Sequence, residues 1–243
     1  MKKNKKKNVI VIGKGKWGIK VINQLKKKVN IIKVINSKES FKNIFIKKID
    51  WIFILTNNSS HYKLSKFFLK KKLNVFCEKP LSLDFLKGKE LVKIANKNKV
   101  KLYVSDVEKY KYKKFNIRKL NNVTRFKFDR YKKEILERLC YHDLYLLSEK
   151  IDLYKIKKIK IQKNNVGNFS FSFSYNNKIF NFVYSLNKKN KIHKINEVDY
   201  LKFKGNPLSK MIDFILKNKI SFKKNNEKAL KAIFFIKKLK RLN

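Results

Sequence analysis

The feature that most constrains the fold of this 243-residue chain is a turn. Gly13-Lys14-Gly15-Lys16-Trp17-Gly18 follows the apolar run 9–12 and precedes a stretch, 19–28, with helical periodicity. A G-x-G-x-x-G between a strand and a helix is the signature of the first βα unit of a doubly wound sheet, and of a main chain that must approach a dinucleotide. Each glycine has its own task. The first permits a tight turn, the second lets backbone come close to a pyrophosphate, and the third lets the helix lie against the strand. The helix N-terminus then presents its unpaired N–H groups to the phosphates. The chain holds only six glycines, so three within six residues mark a backbone requirement. Gly13, Gly15, Lys16, Trp17 and Gly18 are the first candidate cofactor contacts. The Trp17 indole suits either the flank of a cofactor or ordinary packing.

The first half of the chain extends this pattern. Apolar runs predict strands at 9–12, 31–35, 51–55, 75–77 and 102–104, and helices at 17–28, 62–71 and 84–98, the last with Asp84 as N-cap. The run 51–55 is short and wholly apolar, as befits a parallel strand buried on both faces. Beyond residue 106 the period changes to alternation, at 123–128, 156–161, 169–175, 179–184 and 200–203, with Asn176-Asn177 as a hairpin turn. Helices are expected at 141–151, 208–216 and 227–239. The expected class is α/β: an N-terminal Rossmann parallel sheet over 1–106, then a smaller α+β domain over 107–243. That second domain has a mostly antiparallel sheet, and its C-terminal helices return to the first domain.

Composition sets limits on function. With 43% hydrophobic residues the chain can bury a core and is not a disordered tail. A formal net charge of +47 would ordinarily suggest nucleic acid. Yet only Arg118, Arg125, Arg130, Arg138 and Arg241 are arginine, the residue of bidentate base and phosphate contacts. The lysines run through nearly every segment. They accompany an excess of Asn, Ile, Phe and Tyr, which reads as nucleotide bias in the gene rather than as a specific nucleic-acid surface. Cys77 and Cys140, the only two cysteines, make no disulfide framework and suit packing in a reducing compartment, the cytoplasm. The apolar run after the basic start is too short for a signal h-region. No stretch is long and apolar enough to span a membrane. No His/Cys cluster has metal-ligand spacing.

The residues that carry chemistry lie at the ends of predicted parallel strands, where ligands bind in such sheets. The run 51–55 leads into Thr56-Asn57-Asn58-Ser59-Ser60-His61. The strand 75–77 leads into Glu78-Lys79-Pro80-Leu81. The glycine turn, a strand running into Thr-x-x-x-x-His, and a Glu-Lys-Pro together resemble the Gfo/Idh/MocA oxidoreductase family. The resemblance continues in Ser105-Asp106-Val107-Glu108-Lys109-Tyr110. It extends to Leu139-Cys140-Tyr141-His142-Asp143-Leu144, which is similar to a helix of the members acting on nucleotide sugars, and to Asn206-Pro207-Leu208 with 211–216.

The resemblance implies hydride transfer between a sugar carbon and a nicotinamide, with a sugar or nucleotide sugar as substrate. Lys79 would contact the reacting oxygen and His142 would be the general acid/base. Glu78 would orient Lys79 and the nicotinamide ribose. Thr56, Asn57 and His61 would lie beside the cofactor, with His61 mainly structural. His193 is read as incidental. The open face of the second sheet would join a homo-oligomer. Two departures stand out. The family's Asp four residues before the His is Arg138 here, with Glu134 or Glu137 as substitutes one turn away. At the end of the second strand, where a carboxylate would bind the NAD ribose, stand Asn36, Ser37 and Lys38, so NAD and NADP both remain open. The alternative to an enzyme is a catalytically impaired Rossmann protein that binds nucleotide as a sensor or partner. A polyanion-binding module is a third class.

Overall fold

The computed structural model describes residues 6–36, 39, 41, 47–111 and 121–242. The chain divides into two compact units, Met1–Ser105 with Pro207–Ala229, and Asp106–Asn206 with Leu230–Asn243.

The first unit is built on five parallel strands: β1 (Asn8–Ile12), β2 (Asn30–Ile35), β3 (Trp51–Ile54), β4 (Asn74–Cys77) and β5 (Leu102–Val104), in the order β2-β1-β3-β4-β5. Val9–Ile12 and the whole of β3 are buried, which is why these stretches read as continuous apolar runs. Phe53 and Phe76 stack at 4.6 Å between centroids on neighbouring strands. Helices α1 (Lys16–Leu25), α2 (His61–Lys70) and α3 (Phe85–Lys97) connect the strands. Each buries one stripe: Gly18, Val21, Ile22 and Leu25 on α1, and Leu64, Ser65, Phe68 and Leu69 on α2. Asp84 caps α3 by accepting the Lys87 N–H. The buried face of α3 is Gly88, Leu91 and Ala95, whereas Leu86 is exposed.

The free edge of β5 is closed by a side chain. Asn225 accepts from Val104 N at 2.8 Å and donates to Val104 O at 2.9 Å, standing in for a sixth strand.

The second unit carries a six-stranded sheet. Its strands are β6 (Asn122–Phe128), β7 (Ile159–Asn165), β8 (Asn168–Tyr175), β9 (Lys178–Ser185), β10 (Asn187–Ile195) and β11 (Val198–Asp199), ordered β11-β10-β6-β9-β8-β7. All pairs are antiparallel except β6 with β9. Strand β8 alternates Phe and Ser. Its phenylalanines point inward and meet the inner face of β9, with Phe171 and Phe182 stacked at 4.6 Å. The hairpin between them turns on Asn176 and Asn177, at φ 50° and 59°, the left-handed pair of a type I′ turn. A π-helical turn, Leu136–Cys140, leads into α4 (Tyr141–Leu147). Helix α5 (Pro207–Leu216) goes with the first unit, as do the opening residues of α6 (Phe222–Arg241), whose remainder goes with the second.

The expected α/β class, a parallel Rossmann sheet and a mostly antiparallel second sheet, is the observed one. Three strands depart from expectation. The strand expected at 200–203 is absent, because the Asp199 carboxylate accepts the Leu201 N–H at 2.8 Å and turns the chain after the two residues of β11. The strand expected at 156–161 begins only at Ile159 and runs to Asn165. Strand β10 was not expected. Its sequence Asn-Lys-Lys-Asn-Lys lacks alternation because those residues are exposed, and tertiary pairing with β6 decides its conformation.

Candidate functional site

The glycine turn is shaped by three different surroundings. Gly13 has φ +105° and lies against the peptide after β3. A Cβ there would be 2.6 Å from Leu55 O and 2.9 Å from Thr56 N. A Cβ at Gly18 would be 2.6 Å from Gly13 O. At Gly15 a Cβ would meet nothing within 4 Å. So two glycines are required by close backbone contact inside the protein, while the space over the third is open. Gly15 is also the N-cap of α1, which has no side-chain cap and no acidic residue in its first turn. Its leading N–H groups therefore face that space without a competing anion. The exposed Lys14 and Lys16 flank it. An open cradle of amides at a helix N-terminus fits the pyrophosphate of a dinucleotide.

The neighbouring strand ends are tied to this turn. Gly13 N donates to Ile35 O at 2.8 Å, joining the turn to the end of β2. Beyond β3, Asn57 accepts from Ser59 Oγ and Ser60 N, and Ser60 Oγ donates to Thr56 Oγ1 at 2.6 Å. His61 is fully buried, with Nδ1 2.7 Å from Pro80 O and Nε2 3.2 Å from Thr56 O. Burial lowers its pKa, against the pull of those two carbonyls, so the imidazole is neutral. The shorter contact assigns the proton to Nδ1. His61 thus pins the Pro80 loop to the Thr56 loop and has no surface to offer a ligand.

Glu78, 9% exposed, closes this edge. Trp17 Nε1–H donates to Glu78 Oε1 at 2.6 Å, and Lys79 N–H donates to Glu78 Oε2 at 3.3 Å. The first unit thus gathers Gly13, Gly15, Trp17, Gly18, Thr56, Glu78 and Lys79 at the carboxyl edge of its sheet.

At the end of β2, Asn36 Nδ2–H donates to Glu39 Oε1 at 2.5 Å, and the Glu39 N–H donates to Asn36 O at 3.3 Å. These bonds hold the Glu39 carboxylate, the first after the second strand in the sequence, against Asn36. Ser37 and Lys38 lie outside the described residues.

In the second unit His142 is half-buried on α4, between the buried Tyr141 and Asp143. Arg138 lies in the π-helical turn before it, donating to Asp129 Oδ2 at 2.8 Å and Glu134 Oε2 at 3.1 Å and covering the Tyr131 ring. Glu137 Oε1 accepts from Lys240. The two carboxylates considered as substitutes for the family Asp are thus each engaged with a cation.

Asp143, next to His142 in the chain, belongs to a group of charges that sequence reading missed. Asp143 Oδ1 is 2.8 Å from His193 Nε2 and 3.5 Å from Arg125 Nη1. Glu108 is 3.0 Å from Arg125, 2.8 Å from Lys111 and 3.6 Å from His193 Nδ1. Burial would raise the Glu108 carboxyl, but Arg125 and Lys111 outweigh it and hold it down at about 2. Far from incidental, His193 is a buried partner of both acids. The available signal was Arg125, a charge at an inward position of the alternating strand β6. Among the described residues no group of three or more His, Cys, Asp or Glu side chains is placed to hold a metal ion. Cys77 and Cys140 are free and buried, and burial pushes both thiols up, away from the reactive thiolate.

A doubly wound parallel sheet with a glycine cradle at its carboxyl edge defines a dinucleotide-binding α/β protein with an appended α+β unit. Comparison with known proteins makes this more specific. Residues 35–106 match the model of the Gfo/Idh/MocA oxidoreductase family, described as having an NAD-binding Rossmann fold. The matched segment holds Thr56, His61, Glu78, Lys79 and Pro80, while the glycine turn precedes it. The resemblance seen in the sequence therefore rests on a family match as well as on the fold. A search by sequence finds no matching curated protein.

Solved structures share the architecture over nearly the whole chain. UDP-N-acetylglucosamine 3-dehydrogenase GnnA from Acidithiobacillus ferrooxidans superposes with a TM-score of 0.78 at 13% identity, covering 94% of each chain. The dehydrogenase MviM from Clostridium difficile gives 0.76 at 18% identity, over 97% of this chain and 99% of that one. The WlbA (WbpB) dehydrogenase from Thermus thermophilus, solved with NAD and UDP-GlcNAcA, gives 0.74 at 12% identity, over 94% and 93%.

Proposed function

We propose that this protein is an NAD-dependent dehydrogenase acting on a CH–OH group of a sugar, with a nucleotide sugar for cell-envelope glycans as substrate. The observation that carries the reading is the glycine cradle: Gly13 and Gly18 are filled by the protein's own backbone and Gly15 alone is open. Glu78 and Lys79 stand at the same sheet edge. The nucleotide-sugar class draws support from the two neighbours whose names carry UDP sugars. NAD rather than NADP is favoured by Glu39, because a carboxylate beside Asn36 suits ribose hydroxyls and repels a 2′-phosphate.

In this reading Gly15 and the first amides of α1 hold the pyrophosphate, and Glu78 takes the ribose hydroxyls on the nicotinamide side. When bound, the nicotinamide supplies the hydride acceptor. The Lys79 ammonium holds the substrate oxygen as negative charge develops on it. His142, in the second unit, is the residue that the family resemblance offers as general acid/base for the hydroxyl proton. The buried acids and bases around Asp143 hold α4, and hence His142, in place. A second copy of the chain covers the outer face of the second sheet, where Ile179 and Val183 are exposed beside the small Ser170 and Ser172.

One observation favours a catalytically impaired, nucleotide-sensing protein instead: Arg138 occupies the place of the family carboxylate and is held there by Asp129 and Glu134. A single assay separates the two readings. NADH formation at 340 nm across a panel of UDP sugars should appear for the wild type and fall at least ~100-fold for Lys79→Ala, with NAD⁺ affinity within about twofold. Wild-type protein inert toward the whole panel, or a Lys79→Ala variant with unchanged turnover, overturns the proposal.

A further inference from the structure

Trp17 lies in the first turn of α1, yet its indole N–H reaches Glu78, 61 residues further along the chain, at 2.6 Å. Strand β3 separates β1 from β4 in the sheet. The bond therefore spans two strand spacings, roughly 10 Å, over the carboxyl end of β3. An indole is long enough to make that crossing and still carry a donor at its far end. The acceptor is a carboxylate that is 9% exposed. Its second oxygen accepts the longer, 3.3 Å bond from the Lys79 N–H. A nearly buried carboxylate takes its orientation from such donors, and charge-assisted bonds of this length are the strong ones. Packing alone would be served as well by phenylalanine. The position of the N–H, directed at a charged oxygen, is what needs a reason.

We infer that Trp17 is a positioning residue for the nicotinamide half of the dinucleotide. It acts by fixing the Glu78 carboxylate, and the glycine turn holds the adenosine diphosphate half without it. This rests on the NAD reading above. It divides one residue of the G-x-G-x-x-G motif from the others, since Gly13, Gly15 and Gly18 serve the pyrophosphate end and Trp17 the opposite end.

The division is tested with two ligands. ADP carries the adenosine and diphosphate but no nicotinamide ribose, whereas NAD⁺ carries both halves. By isothermal titration calorimetry, Trp17→Phe should bind ADP within about twofold of the wild type and NAD⁺ about tenfold more weakly. Glu78→Ala should show the same split. Trp17→Phe added to Glu78→Ala should cost NAD⁺ affinity nothing more, because the two residues act through one bond. A thermal melt accompanies each variant. Should Trp17→Phe fail to fold, the ADP/NAD⁺ split in Glu78→Ala and in Trp17→His carries the comparison. An equal loss for both ligands would make Trp17 a structural part of the turn and overturn the inference, as would no loss for either, or losses that add. Wild-type protein that binds neither ligand overturns the dinucleotide reading and this inference with it. Wild-type binding with an unsplit variant overturns this inference alone.

Discussion

At the scale of single residues, the most consequential feature outside the glycine turn is a buried carboxylate in a chain dominated by lysine. Glu108 is held down at about 2 by Arg125 and Lys111, against the effect of burial. Its folded-state pKa lies below the ordinary 4.5. The stability it contributes is therefore present above about pH 4.5 and is lost as the pH falls toward 2. A shift of this size corresponds to roughly 3 kcal/mol. Glu108→Gln should accordingly lower stability at pH 7 by about that amount, and the difference from wild type should shrink toward zero near pH 2. Urea midpoints between pH 2 and 7 measure it. A wild-type-to-variant difference that does not change with pH would remove Glu108 from this role. His193, Asp143 and Arg125 were illegible as a group because their positions, 193, 143 and 125, come from β10, α4 and β6. Only the folded register of β10 on β6 brings His193 opposite Arg125.

At the scale of elements, much was legible. The apolar runs of β1, β3 and β4, the Asp84 cap and the Phe/Ser alternation of β8 each follow from burial on two faces, a local hydrogen bond, or burial on one face. The hairpin between β8 and β9 was legible from Asn176-Asn177 alone, since few residues other than glycine accept positive φ so readily. That turn gives a sharp prediction. Asn177, at φ 59°, should gain about 0.5–1 kcal/mol on replacement by Gly and lose about 1–2 kcal/mol on replacement by Val. Thermal melts of the two variants should move in opposite directions, and melts that move together would contradict the turn assignment. Elements whose conformation is imposed from outside were not legible. The lysine-rich β10 takes its form from β6. The chain near Tyr200 is turned by the Asp199 carboxylate rather than by any hydrophobic period. Glu39 was legible as the first carboxylate beyond Asn36, but its hydrogen bond to the Asn36 side chain was not.

At the scale of the whole molecule, the excess of lysine does not obscure the design, because the proposed cofactor site is a sheet edge made largely of backbone. The exposed apolar residues of the second sheet give the account a consequence for assembly. The mass in solution, by light scattering after size exclusion, should be at least twice the 29.2 kDa of one chain. Val183→Lys should return a folded monomer, since a charge in the middle of an apolar contact costs several kcal/mol unless it is paired. Wild-type monomer at tens of micromolar would remove the second sheet as an interface.

If the open space over Gly15 is a dinucleotide site, a titration with NAD⁺ will show it. NAD⁺ is titrated by calorimetry into the wild type and into Gly15→Val, with thermal melts alongside. A Cβ at Gly15 meets no protein atom within 4 Å. The valine variant should therefore melt within a few degrees of the wild type yet bind NAD⁺ at least ~100-fold more weakly. Gly13→Ala is the reference for a glycine the fold itself requires, and should lose stability by several kcal/mol. Equal NAD⁺ affinity in the wild type and Gly15→Val, or no binding by the wild type, would contradict the account.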